Sequence, residues 1–445
     1  MSDAKFKQIA KTIEARIDSG EYPAKFKLPP HRALADELST TPATVAKAYQ
    51  LLVDKKRVES FVGRGTFVRA QASLSEVIQP ADDEQDYNFS ILQPCLLQNL
   101  SPLRDAMITA TEQLNTQLMG YTEHSGHESH RLAGVEWAKH YGLVGGNTSN
   151  TLLTNGAQHA LSLLIHALTE PGDTIAVESL TYPGIMAIAK SAGRHVVGVQ
   201  LDDEGMCPDD LQQVIRLNHP KLVIVVPSHQ NPTGITMPPA RREEIANVIA
   251  ANNIWLIEDD IYGFLNPQPI AAISNRIPQL SFHISGLSKA ISPAMRCGFL
   301  KVPDSHIAVL QAYIRANIWL SSPLNYIAAA QLIESGEAFQ IAEKQRQTAI
   351  KRQQMAKELL GYQGRETGFQ LWWPLPEHWQ QERFVMEAKN KGLIVSSGSY
   401  FKVNGDDPHH IRLSLMAISS EQRLQQGLIM LRDLAKSEFV MNPHF

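Results

Sequence analysis

The chain has 445 residues, 43% hydrophobic and 19% charged, with a formal net charge of −4. That length exceeds one ordinary core and implies two or three domains, the composition is that of a globular protein, and no apolar run approaches a membrane span. The net charge conceals a division: residues 1–69 carry thirteen Lys and Arg against eight Asp and Glu, which leaves +5 there and −9 on the remainder.

A basic head on an acidic body points to nucleic acid at one end only. Cys95, Cys207 and Cys297 are scattered and odd in number, so they imply reduced thiols and neither a disulfide framework nor a zinc site. The start, Met1-Ser2-Asp3-Ala4-Lys5, has no apolar stretch like that of a signal peptide, and a cytoplasmic location is expected. His124, His127 and His130 lie three residues apart in a Gly-containing stretch without carboxylate support, so no metal site is expected.

The first predicted helix carries Phe6, Ile9, Ala10, Ile13 and Ile17 at helical spacing and closes at Ser19-Gly20. Lys27-Leu28-Pro29-Pro30-His31-Arg32 bends into a second helix through Leu34, Ala35 and Leu38. Thr40-Thr41-Pro42 then starts a third, with a threonine cap and proline at the first helical position. This third helix buries Val45, Ala48, Tyr49 and Leu52 and turns Ala43, Ala46, Lys47 and Gln50 outward, as a recognition helix would. Residues 58–68, centred on Gly63-Arg64-Gly65, read as a hairpin wing.

Residues 1–69 resemble a winged helix-turn-helix of the GntR type, through Leu28-Pro29, Thr44-Val45 and Gly65-Thr66-Phe67-Val68. The resemblance implies DNA contacts from Arg32, Thr41, Thr44, Lys47 and Arg64. Pro42 stands where the family usually has a base-reading arginine, and Asp54-Lys55-Lys56-Arg57 closes the helix where a glycine is usual. Phosphate contacts from Arg32, Lys47 and Arg64 are therefore expected to carry more of the affinity.

Residues 70–86 are polar and acidic and read as a linker. From about residue 150, short apolar runs alternate with helices: 151–154, 174–178, 195–199, 222–226, 254–258, 281–284 and 297–302. Continuously apolar strands are expected where helices cover both faces of a mostly parallel sheet. From about residue 337 a long polar helix, strands at 369–373 and 411–415 and a final helix suggest a smaller α+β domain.

Three chemistry-bearing segments lie just beyond predicted strand ends, where ligands collect in such sheets. They are Asn231-Pro232-Thr233-Gly234, Asp259-Asp260-Ile261-Tyr262 and Ser285-Gly286-Leu287-Ser288-Lys289, the last followed seven residues on by Arg296. Together with Gly156-Ala157-Gln158 and Arg412, they resemble the aspartate-aminotransferase superfamily, the fold-type I enzymes of pyridoxal 5'-phosphate (PLP). Nearly the whole chain, all but the generic linker, resembles the MocR subfamily, transcription regulators that fuse a GntR head to such a body.

The resemblance implies a role for each residue. Lys289 carries PLP as a Schiff base, and Asp259 pairs with the pyridine nitrogen. Tyr262 and Asn231 donate to the phenolic oxygen, and Tyr182 stacks on the ring. The phosphate is held by Arg296, by the helix start at Gly156, Ala157 and Gln158, and by Tyr121 of a neighbouring subunit in a homodimer. Arg412 clamps a ligand carboxylate. Gly286 occupies the place, three before the lysine, that usually holds a Ser or Thr on the phosphate, so Ser285 or Ser288 is expected to substitute. The implied function is a regulator that binds operator DNA and senses an amino acid or amine through aldimine exchange. The alternative is a working aminotransferase with an accessory DNA-binding head, since the same groups serve both.

Overall fold

The computed structural model describes residues 5–18, 21–23, 25–55, 57–61, 65–68, 86–121, 125–362, 364–405 and 408–437. Arg64, His124 and all but the last residue of the expected linker lie outside them. The chain divides into two compact units, residues 1–76 and 77–445.

In the first unit, α1 (Lys5–Asp18), α2 (His31–Glu37) and α3 (Pro42–Asp54) precede the antiparallel pair β1 (Val58–Phe61) and β2 (Gly65–Val68). The apolar positions predicted for the helices meet in one core: Ile9, Ala10 and Ile13 against Leu34, Ala35, Val45, Ala48, Tyr49 and Leu52, closed by Val58 and Val68. Thr41 caps α3 by accepting from Thr44 N–H at 3.3 Å, and Pro42 takes the first helical position, where no backbone donor is needed.

The second unit opens with β3 (Tyr87–Asn88), α4 (Leu96–Glu112) and α5 (Glu128–His140). A seven-stranded sheet follows, built from β4 (Thr151–Asn155), β5 (Thr174–Glu178), β6 (His195–Val199), β7 (Leu222–Val225), β8 (Trp255–Asp259), β9 (Ser281–Gly286) and β10 (Cys297–Lys301). Their order across the sheet is β4-β10-β9-β8-β7-β5-β6, with β10 antiparallel to both neighbours and the other pairs parallel.

Alternate side chains of these strands enter different cores, which is why the strands read as continuously apolar. Leu222 and Ile224 pack on one face with Leu161 and Leu164 of α6 (Ala157–Leu168). Val223 and Val225 pack on the other with Ile245 and Ile249 of α7 (Pro239–Asn252). Burying each such side chain contributes about 1.5–3 kcal/mol.

The smaller domain has its own core around a three-stranded antiparallel sheet: β11 (Gln370–Pro374), β13 (Ser396–Ser397) and, between them, β14 (His410–Ser414). The long helix α8 (Glu337–Leu360) and the last described helix, α9 (Glu421–Lys436), pack on it. Phe89 lies in this core, and β3 pairs in parallel with β12 (Leu393–Ile394), so the segment entering the body is tied to its far end in sequence.

Candidate functional site

On the first unit, Arg32, Thr41 and Lys47 are exposed and Thr44 is partly so. Thr41 and Thr44 share a hydroxyl contact of 2.9 Å, which fixes both side chains at the start of α3. Gly65, at φ +110°, brings the wing backbone so close to Lys27 that a Cβ there would lie 2.8 Å from its Cε.

In the body, residues distant in sequence converge where the strands end. Gly156 follows β4 at φ +79° and opens α6, so its backbone faces the positive end of that helix. Arg296 lies over it: Nη2 donates to Asn155 O at 2.8 Å, and a Cβ on Gly156 would meet Nη2 at 2.8 Å. Asn325 Nδ2 donates to Met295 O at 2.9 Å and steadies the turn before the arginine. Asn155, Met295, Arg296, Ser322, Asn325 and Tyr326 line an adjoining cavity of about 250 Å³. Ser322 and Asn325 were not legible in the sequence, because they come from a helix start far down the chain with no motif of its own.

Lys289 Nζ donates to Leu92 O at 2.7 Å and lies 5.8 Å from the centre of the Tyr262 ring. Burial, with the nearby positive charge of Arg412, lowers its amine to about 8, against the opposing pull of Asp259. Asp259 is the last residue of β8 and 4% exposed. Burial first, then the charge of Asp260, raises its carboxyl to about 7, and its Oδ1 has no hydrogen-bond partner among the described residues.

Arg412, in β14, is 3% exposed. Its Nη1 donates to Asn231 Oδ1 at 3.2 Å, and its Nη2 donates to Ser396 Oγ at 3.0 Å and to Ser90 O. Its Nε has no partner among the described residues, and burial lowers the guanidinium to about 10. Tyr182 donates to Gln158 Oε1 at 3.2 Å, which ties the ring expected to stack to the helix start expected to hold phosphate. Burial raises the hydroxyls of Tyr182 and Tyr262 above the ordinary tyrosine value.

Two expected residues stand apart from this set. Ser285 shares its strand face with His283, and both line a small gap with Gly134 and Phe299 on the α5 side of the sheet, away from the Arg296 cavity. Ser288 is half-buried beside Lys289. Gly286 has a steric reason to depart from Ser or Thr: a Cβ there would lie 2.7 Å from Cys297 O. Tyr121 is 83% exposed, its ring 5.0 Å from that of Trp319.

Residues 84–429 match the aminotransferase class I and II family, and residues 5–68 match the gntR family of bacterial regulatory proteins. The chain belongs to the aminotransferase class I and II family. With its GntR head it is of the MocR type, as the relatives bear out. It is 29% identical to the uncharacterized HTH-type transcriptional regulator YdeF of Bacillus subtilis, over 96% of this chain and 94% of that one. It is 26% identical to the vitamin B6 salvage pathway transcriptional repressor PtsJ of Salmonella typhimurium, over 93% and 95%. Among solved structures, the body is similar to Pyrococcus horikoshii kynurenine aminotransferase, with TM-score 0.74 and 21% identity, over 82% of this chain and 95% of that one. It is likewise similar to LysN, the α-aminoadipate aminotransferase of Thermus thermophilus, with TM-score 0.74 and 20% identity, over the same 82% and 95%.

PLP is the cofactor of this family, and the residues present in the MocR-type chain fit it. Asp259 Oδ1 is a buried acceptor lacking a donor, which a protonated ring nitrogen would supply, and Gly156 leaves room beneath Arg296 that a side chain would fill. Gly156→Ala should weaken PLP binding, because a non-glycine residue at this positive φ costs ~1–2 kcal/mol and its methyl displaces Arg296. A fluorescence titration with an unchanged dissociation constant would contradict this.

Proposed function

We propose that the protein is a DNA-binding transcription regulator whose body holds PLP and uses it to sense a carboxylate-bearing amine. When bound, the cofactor supplies a reactive aldehyde carbon on an electron-withdrawing ring. Arg296 and the N-terminus of α6 hold its phosphate, Asp259 keeps the proton on its ring nitrogen, and Asn231 and Tyr262 serve its phenolic oxygen. Lys289, with an amine lowered to about 8, is available as a nucleophile near neutral pH. The observation that carries the reading is this convergence of half-buried Lys289 with buried Asp259 and Arg412 in a chain that also has a GntR head.

The homodimer is part of the same proposal. Tyr121 is exposed, and so are Leu97, Leu100 and Ile108 of α4, an apolar face that a second copy would cover. Enzymatic turnover is the second reading, favoured by 32% identity to an aromatic amino acid aminotransferase of Dictyostelium discoideum over 44% of this chain.

The carboxylate clamp is testable by absorbance titration of the PLP-loaded protein with an amino acid and with the amine lacking its carboxylate. The wild type should prefer the amino acid roughly ten- to hundredfold, the worth of a charge-assisted hydrogen bond. Arg412→Ala should abolish that preference, and a variant that keeps it would remove Arg412 from the role.

A further inference from the structure

Two carbonyls, two residues apart, hold both cations at the heart of the site. Arg412 Nη2 donates to Ser90 O, and Lys289 Nζ donates to Leu92 O at 2.7 Å. The stretch that carries them is anchored on either side. Before it, Tyr87 and Phe89 N–H donate to Gly392 O and Ile394 O, each at 2.8 Å, and Phe89 O accepts from Ser414 N–H at 2.7 Å. After it, Cys95 N–H donates to Gln345 Oε1 at 2.8 Å, and Gln345 Nε2 donates to Asn99 Oδ1 at 2.9 Å. Asn99 Nδ2 in turn donates to Ala290 O at 3.1 Å and Ile291 O at 2.8 Å, the two residues that follow Lys289.

We propose that residues 90–92 form an occupancy-sensing strap, in which exchange of an amino acid onto the cofactor moves the hold on the strap from Ser90 O to Leu92 O. This rests on the PLP reading of the site. With cofactor linked to Lys289, the nitrogen is bonded to the cofactor carbon and is no longer a free amine donor for Leu92 O, while Arg412 still holds Ser90 O. An arriving amino acid reverses both conditions. Its carboxylate takes Arg412 by a charge-assisted pair that outcompetes a neutral carbonyl. Its amine nitrogen forms the double bond to the cofactor carbon as the Lys289 nitrogen leaves, and the two protons of the neutral ligand amine end on the lysine. The exchange is redox-neutral and restores a donor for Leu92 O.

The strap's position gives the exchange a route outward. Residue 90 lies four residues after residue 86, where the chain arriving from the DNA-binding unit is fixed by Arg423 Nη2 donating to Asp86 O at 3.1 Å. A change of hold at residue 90 thus acts on the stretch next to the tether, and a ligand without a carboxylate would leave it in place.

Hydrogen–deuterium exchange of the full-length protein tests this with probes that do not depend on knowing the natural effector. N-(5'-phosphopyridoxyl)-L-alanine and N-(5'-phosphopyridoxyl)-ethylamine both leave Lys289 a free amine, and only the first carries a carboxylate. Peptides covering residues 86–95 should exchange several-fold faster with the alanine adduct, which takes Arg412 from Ser90, than with the ethylamine adduct, which leaves both carbonyls held. Equal exchange with both adducts bound, as seen by their retained absorbance, would overturn the strap and leave the PLP site standing. Failure of either adduct to be retained would overturn the site and the strap with it.

Discussion

Replacing Lys289 with alanine should abolish the visible, borohydride-reducible chromophore of the PLP-loaded protein, with PLP itself retained by Arg296 and the N-terminus of α6 without a covalent bond. Among the described residues no other lysine is drawn toward Asp259 and Arg412 in the same way, and the lowered amine of Lys289 reflects its burial there. The rate at which the wild-type apoprotein condenses with PLP should rise with pH and level off near 8, falling about tenfold per unit below it as the amine protonates. A chromophore that survives in Lys289→Ala, or a rate indifferent to pH between 6 and 8, would contradict the assignment. Stability carries opposite signatures from the two groups. Folded Lys289 releases its proton near 8 whereas the unfolded lysine holds it to 10.5, so this group raises stability as pH climbs through that window. Folded Asp259 keeps its proton to about 7 whereas the unfolded carboxyl loses it near 3.8, so its contribution falls as pH rises between those values.

DNA binding should be steeply salt-dependent. With Pro42 in place of a base-reading arginine, exposed Arg32 and Lys47, together with Arg64, leave about three phosphate contacts per head and about six for two heads. The logarithm of the association constant should then fall with the logarithm of salt at a slope near −5, a loss of roughly 10³ between 50 and 200 mM. Arg32→Ala should weaken binding to every sequence alike and reduce the slope by about one unit per head. Weakened binding to a single sequence, with the slope unchanged, would instead make Arg32 a base-reading residue.

What was legible in the sequence had a local physical signature. The strands showed as unbroken apolar runs because both faces of the sheet are covered, as Val223 and Ile224 demonstrate by entering different cores. The third helix of the head showed through Thr41 and Pro42, whose capping chemistry needs only neighbours. Asp259 and the lysine segment were legible because they sit at strand ends, Asp259 as the last residue of β8 and Leu287 to Lys289 just past β9. Ser90 and Leu92 were not, because they act through backbone carbonyls that every residue possesses. Ser285 was offered as a phosphate ligand on proximity in sequence, but the two-residue period of a strand aligns it with His283 on the opposite face from Ile284. Tyr87 and Phe89 join the C-terminal domain through pairing across some three hundred residues, which no local pattern encodes.

The central claim is that ligand exchange in the body and DNA binding by the head are coupled, and linkage makes that claim symmetric. If the ligand changes DNA affinity by some factor, DNA must change ligand affinity by the same factor. The decisive measurement titrates PLP-loaded full-length protein with the amino acid giving the largest spectral shift, in the absence and presence of a DNA fragment that the protein has selected from a random pool. Regulation predicts that the two ligand affinities differ, and that the ratio equals the shift in DNA affinity measured with and without the amino acid. Identical affinities, accompanied by sustained ketoacid production, would contradict it and make the body a working aminotransferase.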